Sequence, residues 1–198
     1  MKPELNHNAT GVKRPFKLEE IWRIRTRIEI QNNWMQLALL NLAIDSKLRS
    51  CDLLSLKVRD VATLDQVFER VQLTQNKTGS EVQFEITPRT QQSIIHWIQE
   101  VKLQPSDYLF WSIRRSNQPI SYSYYRPIIR SWAEQLGLDS GLYGTHSMRR
   151  TKATLVYART KNIRAVQLLL GHSKIDNTIR YLGIEIEDTI KISRETDC

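Results

Sequence analysis

"LLLGHSKIDNTIRYLG", residues 168–183, joins an apolar run to a Gly-His pair, a polar stretch and a tyrosine that follows an arginine. The apolar run belongs to "IRAVQLLL", which is preceded by Asn162, a typical helix N-cap, and followed by Gly171, a typical helix stop. The polar stretch leads to a short second helix that we expect to hold Tyr181. The rest of the chain decides whether that tyrosine packs in a core or takes part in chemistry.

Composition limits the class of protein. A length of 198 residues suits one domain with a single sizeable core. The net charge of +8 favours a polyanionic partner, of which nucleic acid is the commonest. The two cysteines, Cys51 and Cys198, cannot build a disulfide framework. The most apolar stretch, residues 34–44, is too short to span a bilayer, so we expect a soluble, cytoplasmic protein without membrane contacts.

Helical patterns cover most of the chain. Apolar residues at near-helical spacing predict one helix in "KLEEIWRIRTRIEI", residues 17–30, and a more buried one in residues 33–50. Thr87-Pro88 is a typical start for a helix over residues 89–102. Ser121 starts another that ends at Gly137, and Pro127 inside it should kink or restart it.

A region rich in β-branched residues separates these helices. The stretches 57–61, 66–74 and 81–86 favour strands, and the last alternates apolar and polar residues. The turn "QNKTGS", residues 75–80, carries Gly79 for a positive φ. We therefore predict an α+β domain that is mainly helical, with a small antiparallel sheet of two or three strands.

The segment "GTHSMRRTKATLVYART", residues 144–160, is a candidate functional helix. His146 and Arg149 are three residues apart, so they share one face of its first turn, where backbone N–H groups also favour an anion. Taken alone, the pair is better explained as a surface histidine and arginine of a basic helix, because short motifs often match by chance. The same holds elsewhere: Arg49 and Asp52 could form an ordinary helix ion pair, and Tyr181 could be a core residue.

Four motifs, taken together, favour a catalytic role over these structural explanations because of the order in which they follow one another along the chain. They are "LRSCDLLSLKVRDV" at 48–61, "QNKTG" at 75–79, "HSMRRTKAT" at 146–154 and "LLGHSKIDNTIRY" at 169–181. In order and approximate spacing, the sequence from about Phe16 to Tyr181 resembles the catalytic domain of tyrosine recombinases, the phage integrase family. The resemblance implies that family's catalytic-domain fold and a site-specific DNA recombinase, or integrase, that cleaves and rejoins DNA.

The resemblance also implies roles for individual residues. It assigns the catalytic residues Arg49, Lys77, His146, Arg149, His172 and the nucleophile Tyr181, with Asp52 supporting the first arginine. Transfer of a phosphodiester builds negative charge at phosphorus, and two fixed arginines suit that charge. A tyrosine hydroxyl, with a pKa near 10, needs a base, which His146 would supply. His172 would donate a hydrogen bond to the phosphate, and Lys77 would protonate the leaving 5′-hydroxyl.

The sequence also departs from the family pattern. Arg150 stands where a histidine is common, which leaves open which of the two neighbouring arginines points inward. We expect residues 1–15 to form a flexible arm and residues 16–198 the catalytic domain, with a C-terminal tail from about residue 184. Because only that arm precedes Phe16, the chain resembles the short bacterial members that lack a core-binding domain.

The resemblance implies double-stranded DNA as the partner, a homo-tetramer on DNA, and a monomer or weak oligomer when free. It implies a bacterial, nucleoid-associated location. We expect neither metal nor cofactor, because a phosphotyrosyl link conserves the energy of the broken bond. Two alternatives remain: a DNA-binding accessory protein of the same fold without strand exchange, and a relaxing topoisomerase of similar chemistry.

Overall fold

The structure is a computed structural model that describes residues 13–77, 79–112 and 115–182. The helices are α1 Leu18–Ile30, α2 Trp34–Ser46, α3 Ser50–Leu54, α4 Val58–Val61, α5 Pro88–Val101, α6 Tyr122–Glu134, α7 Thr145–Thr160, α8 Ile163–Leu170 and α9 Ile175–Leu182, with a 3₁₀ turn at Ser140–Leu142. The strands are β1 Arg70–Thr74, β2 Glu81–Glu85, β3 Trp111–Ser112 and β4 Arg115–Pro119. The prediction of a mainly helical α+β domain is confirmed.

Helix α2 lies at the centre of the core. Every residue from Leu37 to Ser46 is buried, and the helix packs against α1, α5, α7 and β2. A helix with this all-round apolar surface is stable only when other elements cover each of its faces. It begins where the Asn33 side chain accepts a hydrogen bond from the backbone N–H of Gln36, and it ends where Lys47 turns left-handed at a φ of 55°. The predicted helix over residues 33–50 therefore ends earlier, at Ser46, and a separate short helix, α3, begins at Ser50.

The predicted hairpin is present, but the predicted strand at residues 57–61 is wrong. Strands β1 and β2 pair antiparallel, with Val71 opposite Phe84, and Gly79 in their turn has a φ of +64°. Residues 58–61 instead form the one-turn helix α4, which begins where the Asp60 carboxylate accepts the backbone N–H of Lys57 at 2.8 Å. Val58 and Val61 are both buried at helical spacing, so burial overrides their β preference.

Two further differences concern the middle of the chain. Helix α6 runs through Pro127 as one element, so the proline does not restart it. The carbonyl that the proline leaves without an amide partner is that of Ser123, which is exposed and can bond to water. The short hairpin of β3 and β4 was not predicted, because a two-residue strand carries no periodic pattern.

Helices α7, α8 and α9 pack on one another at the C-terminal side of the described chain. Ala153, Val166 and Leu170 form a small apolar cluster, against which Tyr181 and Leu182 pack. Asn162 accepts the backbone N–H of Ala165 at 2.9 Å, and Gly171 ends α8 with a φ of +64°, as the sequence predicts for both ends of this helix. This cluster brings the end of α9 back onto α7.

The termini of the described chain bear on two predictions. Lys13 and Arg14, at the end of the predicted arm, donate hydrogen bonds to the carbonyls of Gly141 and Leu142 at 2.6 and 2.8 Å. Residues 1–12 and the apolar stripe of the tail, Ile184, Ile186, Ile190 and Ile192, lie outside the described residues. Across the ranges that the structure describes, no helix combines the length and apolar character needed to cross a membrane.

Candidate active site

Arg49 enters the site from the turn between α2 and α3. It is the residue before α3, with extended backbone, and its half-buried guanidinium donates a hydrogen bond to the side-chain oxygen of Gln75. Gln75 is buried directly after β1, where the hairpin turn begins. The guanidinium is therefore held between α3 and the hairpin rather than free in solvent.

Asp52, the predicted support for Arg49, holds the hairpin. Its Oδ1 atom accepts the backbone N–H of Asn76 at 2.9 Å, and the Asn76 side chain donates to the Ser55 hydroxyl at 3.3 Å. The Oδ2 atom of Asp52 is buried without a hydrogen-bond partner among the described residues. Asp52 thus fixes the start of the hairpin turn against α3, next to Gln75, which accepts the hydrogen bond from Arg49.

The first turn of α7 carries His146 and Arg149. The helix begins at Thr145, where the Ser147 hydroxyl accepts the backbone N–H of Gly144 at 3.1 Å. Arg149 is 4% exposed and donates from Nη2 to the carbonyl of Leu170 at 2.5 Å. Its Nε and Nη1 atoms are buried and find no acceptor within the described part of the chain. A buried cation with unused donors is suited to bind an anion.

Burial and the cations of the site together lower the pKa of His146. Partial burial of its ring, followed by the charges of Arg149 and Arg150 and then of Arg49 and Lys77, lowers its pKa below the ordinary value near 6.5. The ring is therefore neutral at pH 7. Although neighbouring groups desolvate part of the ring, the residue keeps contact with solvent, so a neutral nitrogen is accessible as a proton acceptor.

His172 follows the α8 stop and is held by hydrogen bonds to Gln167 and Thr178. Its backbone N–H donates to the carbonyl of Gln167 at 3.1 Å, and its Nδ1 atom lies 3.1 Å from the Thr178 hydroxyl. Burial, with added repulsion from Arg149 and Arg49, lowers the pKa of His172 to about 4. This imidazole is neutral at pH 7, so it acts there as a hydrogen-bonding group and not as a charge.

The position of His172 depends on Gly171. Gly171 has a φ of +64°, and a Cβ atom added there would lie 2.8 Å from the Cγ1 atom of Val82 on β2. The α8 stop is thus packed tightly against the hairpin that leads to Lys77. A side chain at this position would displace both segments.

We expect Gly171→Ala to destabilise the protein and to disturb the site. Left-handed strain plus the overlap with Val82 should cost about 2 kcal/mol, measured as a lower Tm. The matched control is Gly137→Ala, because Gly137 has a φ of +74° and nothing within 4 Å of the added carbon. It should cost about 1 kcal/mol. Equal losses in the two variants would mean that the contact with Val82 has no effect.

Tyr181 lies against both His172 and α7. Its ring meets the His172 ring edge-on, with centroids 5.5 Å apart. Its hydroxyl is buried, and no described residue accepts or donates a hydrogen bond there. Burial raises the pKa of Tyr181 to about 12, although Arg149, Arg150 and Arg49 act in the opposite direction. The phenol is therefore protonated at neutral pH and needs both a base and stabilised negative charge to react.

Arg150 is the residue whose position the sequence left open. It is buried, and its guanidinium carbon lies 5.4 Å from the centre of the Tyr181 ring, a cation–π contact. Arg149 contacts the carbonyl at the end of α8, whereas Arg150 covers the face of the tyrosine. The two neighbouring arginines therefore have different surroundings. The one signal in the sequence was the adjacency of two arginines.

Lys77 occupies the exposed turn of the hairpin. Its charge contributes to the lowered pKa of His146, so the amine is within electrostatic reach of the site. The structure thus gathers the residues that the sequence singled out: Arg49, Asp52, His146, Arg149, His172 and Tyr181 in one cluster, and Lys77 at its rim. Among residues 13–77, 79–112 and 115–182, no three His, Cys, Asp or Glu side chains converge as metal ligands would.

Residues 16–187 match the model of the phage integrase family, and the chain belongs to that family of tyrosine recombinases. One relative is the "Probable integrase/recombinase YoeC" of Bacillus subtilis, 33% identical over 88% of this chain and 90% of that protein. Another is the tyrosine recombinase XerC of Actinobacillus pleuropneumoniae, 27% identical over 93% of this chain. The chain spans 62% of the length of that XerC.

Solved structures share the fold at low sequence identity. The crystal structure of XerA recombinase superposes with a TM-score of 0.74 at 18% identity, covering 95% of this chain and 67% of that one. XerH bound to its difH substrate, a pre-cleavage complex, gives a TM-score of 0.70 at 17% identity, covering 98% and 57% of the respective chains. These likenesses concern the arrangement of helices and strands.

Proposed function

We propose that this protein is a site-specific DNA recombinase that cleaves and rejoins DNA through a 3′-phosphotyrosyl intermediate. The observation that carries the proposal is the buried, unpartnered hydroxyl of Tyr181 inside a cluster of three arginines and two neutral histidines. The core residue Tyr125 also has a buried, unpartnered hydroxyl, so the surrounding charges mark Tyr181 as different: a structural site has no need of three arginines around one phenol. Family membership supports the same reading.

The arginines supply the electrostatic part of the mechanism. Arg149 keeps two donor atoms without an acceptor among the described residues, and Arg49 is held by Gln75 at the hairpin. Together they bind the non-bridging oxygens of the scissile phosphate and stabilise the charge that grows in the transition state. Burial and the nearby charge of Arg49 lower the pKa of Arg149. The two cations repel each other, and a bound phosphate would offset that repulsion.

Proton transfers complete the reaction. The Tyr181 oxygen attacks phosphorus and gives its proton to His146, which is neutral at pH 7. The bond from phosphorus to the 5′ oxygen breaks, and Lys77 protonates that oxygen. His172, neutral and held by Thr178, donates a hydrogen bond to the phosphate. Rejoining reverses each step: His146 returns the proton to the tyrosine as the 5′-hydroxyl attacks.

We propose the following wider setting for this site. The partner is double-stranded DNA, bound by a homo-tetramer in the bacterial nucleoid, with a monomer or weak oligomer when free. Residues 16–198 form the catalytic domain, residues 1–15 the arm, and the tail from about residue 184 contacts the same domain or a neighbouring subunit. The net charge of +8 supports a DNA partner.

A covalent-trapping experiment tests the function without knowledge of the target sequence. The purified protein is incubated with sheared genomic DNA of its own source in EDTA, denatured with detergent, and assayed for DNA linked to protein. We expect adducts whose DNA maps to a small number of sites. No adduct would favour the accessory-protein alternative, whereas adducts spread over all sequences, with relaxation of any supercoiled plasmid, would favour a topoisomerase.

Lys77→Ala isolates the proposed leaving-group acid. On the recovered target DNA, the variant should cleave about 10² to 10⁴ times more slowly than wild type, the range of general acid catalysis. On DNA with a sulfur in place of the scissile 5′ oxygen, the variant should cleave at close to the wild-type rate, because a thiolate leaves without protonation. Lys17→Ala, which removes an exposed lysine before α1, is the matched control and should cleave both substrates normally. Equal slowing on both substrates would limit Lys77 to positioning DNA.

A further inference from the structure

The carboxylate of Asp45 is buried in the last turn of α2, outside the cluster described above. The residue is 3% exposed. Oδ1 accepts the Lys152 ammonium at 2.5 Å, while Oδ2 accepts the Thr87 hydroxyl at 2.7 Å, the Thr87 backbone N–H at 3.0 Å and the Thr90 hydroxyl at 2.6 Å. The carboxylate therefore ties together α2, the start of α5 and the middle of α7.

Each residue of this ion pair is close in sequence to one of the arginines of the site, Arg49 or Arg149. Asp45 is four residues before Arg49, and the intervening segment is the tight left-handed turn at Lys47. Lys152 is three residues after Arg149 on α7, so it lies one helical turn along the same side of that helix. The pair thus joins the segment that presents Arg49 to the helix that presents Arg149.

We propose that the Asp45–Lys152 ion pair sets the spacing between Arg49 and Arg149. Asp45 and Lys152 are therefore positioning residues for the phosphate site. This inference rests on the proposed function. The pair does not contact the site itself. It acts by fixing α2 and α7 relative to each other, and the threonines of α5 fix the carboxylate from the other side.

The charges around the pair explain why a carboxylate is needed at this point. The Lys47 side chain is buried and donates to the Asp45 carbonyl at 2.6 Å. Burial and then repulsion from Lys152 lower the pKa of Lys47 to about 8, although the charges of Asp45 and Glu85 act in the opposite direction. Asp45 is thus the buried negative charge among these cations. Lys152 is partly exposed, and an ion pair with one buried partner adds little net stability compared with apolar residues, so its main effect is on geometry.

Lys152→Met tests the inference on the target DNA recovered by covalent trapping. We expect single-turnover cleavage to slow by about 10- to 100-fold, since a displacement near 1 Å costs a catalytic site that much. The affinity for DNA should stay within about threefold of wild type, because one charge contributes little to a multi-contact interface. Lys152→Arg keeps the cation and should restore most of the rate. Arg159→Met removes an exposed charge from the same helix and should leave the rate unchanged.

A second comparison separates positioning from stability. Ile98→Val removes a methyl group from the core beside α2 and leaves the ion pair intact, so it lowers Tm without changing the pair. Each variant is assayed at the same number of degrees below its own Tm. At equal distance below Tm, Lys152→Met should remain slower than Ile98→Val. Equal rates would overturn the inference and leave the pair a purely structural role.

The experiment distinguishes failure of the proposed function from failure of the positioning role. If the wild-type protein forms no adduct, the proposed function fails; if it forms adducts and Lys152→Met cleaves at the wild-type rate, only the positioning role fails. Thr90→Val is the second variant if the Met variant does not fold, because it removes one hydrogen bond from the carboxylate and keeps the charge pair. It should slow cleavage about threefold to tenfold, and an unchanged rate would contradict the proposal.

Discussion

Tyr181→Phe should abolish the detergent-resistant protein–DNA adduct entirely and leave the affinity for DNA within about twofold. The variant lacks only the attacking oxygen, whose loss removes the covalent route rather than slowing it. The ring itself stays, and with it the edge contact to His172 and the stacking under Arg150. Gel electrophoresis after detergent treatment measures the adduct, and a mobility shift measures binding.

The same substitution should make the protein slightly more stable. The Tyr181 hydroxyl is buried without a partner among the described residues, and phenylalanine removes that unsatisfied group without opening a cavity. We expect a gain of about 1 kcal/mol, visible as a higher Tm. Tyr125→Phe is a comparison from the core, because its hydroxyl is also buried and unpartnered but lies in α6. It should gain stability and keep full cleavage. An adduct formed by the Tyr181→Phe variant would exclude Tyr181 as the nucleophile.

Local signals were sufficient for much of the fold. Asn162 and Gly171 define α8 because a side-chain cap and a left-handed glycine act through their nearest neighbours, which the sequence displays directly. The hairpin around Gly79 was predictable for the same reason, since its turn and its alternating strand are adjacent. His146 and Arg149 share a face because three residues make almost one turn of helix.

Features that depend on distant parts of the chain were missed. Val58 and Val61 favour a strand by composition, yet they form α4 because both side chains point into a core built by other elements. Asp45 reads as an ordinary polar end to a helix, and nothing near it indicates a bond to Lys152, 107 residues away. The stacking of Arg150 on Tyr181 likewise depends on how α9 folds back on α7.

Arg149→Lys should slow cleavage by about 10²- to 10³-fold, the usual effect of removing one donor from a charge-stabilising site. Lysine keeps the positive charge but has no planar fork, so it cannot bond to the Leu170 carbonyl and a phosphate oxygen with fixed geometry. The loss should appear in the cleavage rate more than in the affinity for DNA, because the second donor matters most when charge has built up on phosphorus. Single-turnover cleavage of the recovered target, with binding measured separately, makes the distinction.

Arg150→Lys is the matched control, since it makes the same exchange one residue further along the helix. Its guanidinium covers the Tyr181 ring, and a lysine ammonium also binds to an aromatic face. We therefore expect a loss of about tenfold or less, because the lysine keeps much of a cation–π contact that is worth about 2 kcal/mol at a desolvated site. If the two substitutions slow cleavage equally, the division of labour between the arginines is wrong. If Arg150→Lys is the more damaging, Arg150 binds the phosphate and Arg149 serves to hold α8 in place.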